Sequence, residues 1–429
     1  MKNKVKNYNK TKLDNGLIIA SEFVPDVGSF AAGVSINVGS RDDYKGKDGI
    51  AHFMEHSAFR HTKNRTSKQI ANEFENIGAY SNAWTTKDIT CYYVRAITNN
   101  FNKSYELLSD ISLNTIFKED AINKERSIIV EEIKSYEDDP EENILDLIDS
   151  LVFNNTPMAH SITGTQQSVS NITTSDLELF HEQFYNPTNM LISIAGNIEH
   201  DRIVELTEKL FNKQNSNNKT KNINKKYIQK QKSISQELII NKPIQQAHIM
   251  LGNTIEKFKN PIQLYKLAIA NIIFGDGMSS RLYQVLREKY GLAYSVSSSY
   301  QTYVNSLGQI NIYAATDKKN IEKTTDLLYQ QMTLLNNSKK PTEKELKRAK
   351  EQLKTATIIE MESMASKIHN IIKYELYFGY RADINNIIDD IENITLDDIV
   401  DINARYLTPD NWYKCILIPE DGNIKQFTS

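Results

Sequence analysis

The segment Gly49-Ile-Ala-His52-Phe-Met-Glu55-His56 sets two histidines four residues apart, with a glutamate beside the second. On a helix these histidines share one face, one turn apart, and can grip a single metal ion. The order is H-x-x-E-H, the reverse of H-E-x-x-H. Hydrolysis at such a site needs neutral imidazoles to hold zinc. It also needs a carboxylate that does not bind the metal and can take a proton from water, whose pKa the metal lowers to about 7. Glu55 is the candidate for that carboxylate. The plainer reading of the same residues is a helix with two surface histidines and an acid.

A catalytic zinc of this kind takes a third protein ligand and leaves one position open. The stretch Glu125-Arg-Ser-Ile-Ile-Val-Glu131-Glu132 offers acids on a predicted helix. Glu125 and Glu132 are seven residues apart and share a face over two turns. A carboxylate from Glu132 completes a His₂Glu set, and Glu125 then suits the orientation of a ligand histidine. Glu131 competes for the ligand role, and each acid taken alone also fits a solvated helix face.

Outward from these segments, the clearest break is residues 213–232, KQNSNNKTKNINKKYIQKQK, with seven lysines, no acid and almost nothing apolar. No packed element can be built from it, so it reads as a linker; an anion-binding arm is the functional alternative. It divides the chain into an N-terminal domain over 1–212 and a C-terminal domain over 233–429. Each half opens with strand-like sequence, Gly16-Leu-Ile-Ile-Ala-Ser-Glu-Phe23 and Glu237-Leu-Ile-Ile-Asn241. Amphipathic helical patterns follow over 122–135 and 143–152 in the first half and over 344–362 and 364–377 in the second. Strands return at Met190-Leu-Ile-Ser-Ile-Ala-Gly196 and Tyr413-Lys-Cys-Ile-Leu-Ile418. The pattern predicts two α+β domains of similar plan, although the halves show no visible sequence repeat.

Composition narrows the function classes. The 429 residues suffice for about two to three domains, and 40% are hydrophobic. With 51 basic against 54 acidic residues, the chain lacks the basic excess typical of nucleic-acid binders. Two distant cysteines, Cys91 and Cys415, exclude a disulfide framework and suit a reducing compartment. The basic start Met1-Lys-Asn-Lys-Val has no apolar run behind it, and no window reaches the ~18 apolar residues of a membrane helix. A cytoplasmic protein without membrane insertion is the expectation.

Taken together, these motifs resemble the inverzincin zinc peptidases of the pitrilysin, insulin-degrading and mitochondrial-processing-peptidase family. The resemblance runs over nearly the whole chain. It is carried by Leu13-Asp-Asn-Gly-Leu17, Val38-Gly-Ser-Arg-Asp-Asp43, Gly49–His56 itself, Gly78-Ala-Tyr-Ser-Asn-Ala-Trp-Thr85 and Tyr185-Asn-Pro-Thr-Asn-Met190. In the second half it is carried by Gly277-Met-Ser-Ser-Arg-Leu-Tyr283 and Arg287-Glu-Lys-Tyr-Gly-Leu-Ala-Tyr294. The family places its third ligand at the spacing that separates His56 from Glu132, 76 residues. This selects Glu132 over Glu131 and leaves Glu125 as the acid that orients a histidine. The overall match is to the processing-peptidase catalytic subunit and its short bacterial homologues.

The resemblance implies further roles. Phe59 matches a residue lining the pocket beyond the cleaved bond. Asn82 and Ala83 match an edge strand on which extended peptides dock by strand addition. Arg287 and Tyr294 match a pair that reaches the substrate, with Tyr294 donating to the developing oxyanion. Glu142 and Asp146, four apart, resemble acids that hold an arginine near the cleavage site; they also fit a solvated face of an acidic helix. The family fold implies two domains, each a mixed, mainly antiparallel sheet flanked by helices, closing as a clamshell around a chamber. It further implies one zinc ion per chain, peptide substrates, and pairing as a homodimer, with a heterodimer as second choice. The expected activity is that of a zinc metalloendopeptidase. A catalytically silent structural subunit and a zinc-dependent peptide-binding protein are the rival readings. One departure stands out: the family often has Lys-Gly-Thr after the pocket phenylalanine, and this chain has Arg60-His61-Thr62.

Overall fold

The computed structural model describes residues 7–211, 237–304 and 306–420; the expected linker at 213–232 lies outside them. Two sheets organise the described chain. The first contains β1 (Tyr8–Lys12), β2 (Ile18–Phe23), β3 (Ser29–Ile36), β4 (Tyr80–Thr85), β5 (Thr90–Ile97) and β6 (Met190–Gly196), in the order β1-β2-β6-β3-β5-β4. The second contains β7 (Glu237–Lys242), β8 (Ala247–Ile255), β9 (Ala293–Gln301), β10 (Gly308–Thr316) and β11 (Tyr413–Pro419), in the order β7-β11-β8-β10-β9. In each sheet one pair is parallel, β2 with β6 and β7 with β11, and all others are antiparallel. Matching β2–β6 to β7–β11 in chain order reproduces the same neighbours throughout. The two halves therefore share one topology although their sequences show no repeat.

Central strands buried on both faces are apolar almost without interruption, as in Phe30-Ala-Ala-Gly-Val-Ser-Ile36 and Met190-Leu-Ile-Ser-Ile-Ala-Gly196. On the first sheet, Phe30, Val34 and Ile192 join Ile50, Phe53, Phe101, Leu108, Ile129 and Phe180 in the main core. Helices Ile50–Ser57, Phe101–Leu113, Glu119–Asp138 and Thr174–Phe184 supply many of its other residues. The four helices expected from periodicity appear as Glu119–Asp138, Pro140–Val152, Glu343–Glu360 and Met364–Phe378.

Contacts divide the described residues into two compact units that are not two continuous halves. Residues 135–159, holding helix Pro140–Val152, belong to the unit of the second sheet. Residues 357–384, holding helix Met364–Phe378, belong to the unit of the first. Each sheet is thus covered on one face by a helix from the other half of the sequence. Ile144, Ile148 and Val152 pack with Met250, Tyr313, Cys415 and Leu417; Ile371 and Ile372 pack with Ala20, Cys91 and Leu191.

A glycine at the centre of each sheet admits the incoming helix. A Cβ on Gly252 of β8 would lie 2.6 Å from Ile148 and 2.9 Å from Val152, and one on Gly33 of β3 would lie 3.4 Å from Ile368. Ion pairs hold the helix on the first sheet. Glu22 of β2 receives Lys367 and Arg381, and Glu375 receives Lys10 and the Tyr8 hydroxyl. No helix of the described residues is long and apolar enough to cross a membrane.

Candidate metal centre

Helix Ile50–Ser57 begins where the chain turns sharply. Gly49 has φ +91°, and a Cβ there would come within 2.4 Å of the Thr163 carbonyl, so both backbone angle and space require glycine. The Asp43 carboxylate caps the helix, accepting from Gly49 N at 2.6 Å and Ala51 N at 3.1 Å. Burial raises the Asp43 carboxyl against those two hydrogen bonds.

His52 and His56 stand one turn apart, ring centroids 4.5 Å from each other. Helix Glu119–Asp138 brings Glu132 opposite them, with its carboxylate oxygens 3.8 Å from His52 Nε2 and 3.5 Å from His56 Nε2. Among the described residues, these three make the group whose ligand atoms all lie within 4.8 Å of one another. Zinc bonds of about 2.0–2.2 Å put neighbouring ligand atoms of a tetrahedron about 3.4 Å apart, so the donor set and its spacing fit that ion. Glu131 points elsewhere, exposed and paired with Lys134 at 2.7 Å.

Burial pushes His52 down to about 3, and neighbouring His56 adds to the shift. Its imidazole is therefore neutral, as a ligand must be. Burial also acts to lower His56, but the hydrogen bond to Glu125 and the Glu55, Glu125 and Glu132 carboxylates outweigh it and raise the group. Glu125 is buried, with one oxygen 2.8 Å from His56 Nδ1 and the other ion-paired with Arg60 Nε. Its own carboxyl is raised by burial, then lowered further by His56 and Arg60, so that it lies below the ordinary range. Glu55 sits next to the ligands without joining them. Burial raises its carboxyl, and the Thr85 hydroxyl, donating to Oε2 at 2.5 Å, partly offsets this.

The remaining predicted residues fall in two places. Phe59 follows the metal helix and packs half-buried near Tyr92, ring centroids 6.4 Å apart. Asn82 and Ala83 lie on β4, an edge strand of the first sheet, and Asn82 Oδ1 accepts from Ala83 N at 2.8 Å. Arg287 and Tyr294 come together in the second unit. Arg287 Nη1 donates to the Tyr294 carbonyl at 2.8 Å, and the guanidinium lies 4.9 Å from the centre of the Tyr294 ring. Tyr294 is 74% exposed. Arg287 belongs to a π-helical stretch, Tyr283–Lys289, a form frequent at functional sites. Glu142 and Asp146 lie in the first two turns of helix Pro140–Val152, in the second unit.

Three residues of the centre escaped the sequence reading: Asp43, Arg60 and Thr85. Asp43 and Thr85 fall within the family-like motifs, but nothing in their spacing assigns them a partner. Arg281, in the Gly277–Tyr283 motif, has a structural task. It makes a bidentate pair with Glu345 at 2.8 and 2.9 Å and so anchors the start of helix Glu343–Glu360.

Comparisons with known proteins show the family. Residues 19–166 match the family model described as Insulinase (Peptidase family M16), and residues 171–353 match that described as Peptidase M16 inactive domain. An uncharacterised zinc protease of Rickettsia felis is 37% identical over 396 residues, covering 92% of this chain and 93% of its own length. The chain belongs to peptidase family M16. An uncharacterised zinc protease of Bacillus subtilis is 32% identical over 96% of this chain and 98% of its own. Among solved M16-like folds, a protease from Helicobacter pylori superposes with a TM-score of 0.84 at 24% identity, covering 97% of this chain and 100% of its own. A Pseudomonas fluorescens structure titled as a peptidase M16 inactive domain reaches 0.87 at 19%, covering 96% and 98%. The candidate ligand group of His52, His56 and Glu132 lies entirely within the segment matched by the first family model, and the second unit holds no comparable group among its described residues.

Proposed function

We propose that this M16 chain is a zinc metalloendopeptidase that hydrolyses extended peptides or unfolded segments, with Glu55 as general base and then general acid. The observation that carries the reading is the division of labour around one point. His52, His56 and Glu132 converge as ligands, while Glu55, on the same helix, is withheld from them. The ion supplies, when bound, Lewis acidity towards water and the scissile carbonyl. Glu55 takes the proton from water and returns it to the leaving amine, a transfer favoured by burial, which raises its carboxyl above the ordinary range. Glu125 holds His56 by its outer nitrogen and fixes the ring's tautomer. β4 offers an edge to an extended chain, whose backbone hydrogen bonds give affinity with little sequence preference. Arg287 and Tyr294 are proposed to contact the peptide, with Tyr294 as oxyanion donor.

The test is Glu55→Gln assayed with a quenched fluorescent peptide. Zinc should remain bound at one equivalent while cleavage disappears. Wild-type protein that binds zinc yet cleaves no peptide of any length would overturn the enzyme reading in favour of a silent or peptide-binding role.

A preference for basic residues near the cleaved bond is proposed for Glu142 and Asp146, which lie one turn apart on their helix. Glu142→Gln combined with Asp146→Asn should lower kcat/KM for arginine-containing peptides about tenfold or more while sparing neutral ones. Equal losses on both peptide classes would sink the assignment.

A further inference from the structure

The base has a partner that no ligand or motif argument assigns. Thr85 Oγ1 donates to Glu55 Oε2 at 2.5 Å, and among the described residues it is the one side-chain donor to that carboxylate. We propose that Thr85 is a positioning residue for Glu55. Its hydroxyl occupies one carboxylate oxygen and leaves the other for the proton of the attacking water. The inference rests on the reading of Glu55 as base and deepens it.

Thr85 is the last residue of β4, the strand that carries Asn82 and Ala83. The edge proposed to receive the peptide thus also sets the rotamer of the base. A glutamate side chain has three rotatable bonds, and a misplacement of about 1 Å costs about a hundredfold in rate. A donor on a fixed element removes that freedom.

Thr85 is itself fixed. The hairpin tip after it closes through Thr86 N donating to the Ile89 carbonyl at 2.8 Å, and Thr86 Oγ1 accepts from Ile89 N at 3.0 Å. Ser40 N and Arg41 N each donate at 3.1 Å to the carbonyls of Thr86 and Lys87. The buried Arg41 guanidinium pairs with Asp88 at 2.9 Å. A Cβ on Gly39 would meet the Thr86 carbonyl at 2.3 Å, so the approach tolerates only glycine. The same short turn ends in Asp43, the cap of the metal helix. Val38-Gly-Ser-Arg-Asp-Asp43 therefore grips the hairpin that holds Thr85 by one end and the helix that holds Glu55 by the other. Branching at Cβ further restricts the Thr85 hydroxyl. The buried tyrosines nearby are engaged elsewhere: Tyr92 and Tyr185 share a hydrogen bond of 2.9 Å.

The test uses the full zinc-loaded chain, a quenched fluorescent peptide, and the variants Thr85→Val and Thr85→Ser. Thr85→Val should lower kcat about 10- to 100-fold, with KM and zinc affinity unchanged. Thr85→Ser, which keeps the hydroxyl, should recover most of the loss. A second readout does not need turnover: the carbon-13 signal of the Glu55 carboxyl, identified by its absence in Glu55→Gln, should move in Thr85→Val and stay in Thr85→Ser. A loss confined to KM, a serine variant no better than valine, or an unmoved carboxyl signal would each overturn the proposal. If wild type cleaves no peptide, the reading of Glu55 as base falls, and the carboxyl signal still decides whether Thr85 holds that side chain.

Discussion

Glu125 stands behind His56 in the candidate metal centre. It is buried, with one oxygen on His56 and the other on Arg60. Its negative charge tolerates burial because both oxygens face positive or donor groups. Glu125→Gln should weaken zinc binding about 10- to 100-fold, measured by competition with a chelator. The pH dependence has a definite sign. His52 is neutral at any pH well above about 3 and contributes none of it near neutrality. His56 is raised above its ordinary 6.5, so it retains its proton to higher pH, and zinc must displace that proton. Affinity should therefore climb with pH through the neutral range, about tenfold per unit, and level off above the His56 value. In Glu125→Gln the levelling should begin at lower pH, because the main influence raising His56 is gone. A pH profile unchanged by the substitution would contradict the assigned role.

At the scale of elements, the decisive contacts are those between helices and the sheets they cover. The helical periodicity at 143–152 and 364–377 correctly announces amphipathic helices. It says that each buries a face, not which sheet receives it. Gly33 and Gly252 hold the missing information, since a glycine inside a strand marks close approach of another element. Gly252→Val would drive carbon atoms into Ile148 and Val152. It should cost about 1–3 kcal/mol of stability, visible as a lower denaturant midpoint. A variant as stable as wild type would show that the helix yields. The edge position of β4 is likewise a property of pairing. Its sequence, Tyr80-Ser-Asn-Ala-Trp-Thr85, is compatible with a strand anywhere in the sheet.

At the scale of the molecule, the two halves share one strand order and each contributes a helix to the other's sheet. Residues 1–212 alone would leave the face formed by Ala20, Cys91 and Leu191 without Ile371 and Ile372. They would also leave Glu22 without Lys367 and Arg381. Expressed alone, this segment should lack a cooperative unfolding transition by circular dichroism, and fusing residues 357–384 to it should restore one. A cooperative transition in the unfused segment would show that the exchanged helix is dispensable.

What the sequence by itself determined is the candidate site: His52, Glu55 and His56 by their spacing on one helical turn, and Glu132 and Glu125 once the family resemblance supplied the longer interval. It also determined two α+β halves, through period-2 and period-3.6 patterns separated by a lysine-rich break. Only tertiary structure decided which groups complete those residues. Asp43 reaches its helix across a turn, Arg60 meets Glu125 from the turn after the helix of the two histidines, and Thr85 meets Glu55 across 30 residues of chain. It also decided which helix belongs to which sheet. The physical reason is common to these cases. Periodicity reports the face a residue occupies on its own element, whereas a partner is chosen by contacts between elements, on which local sequence carries no record.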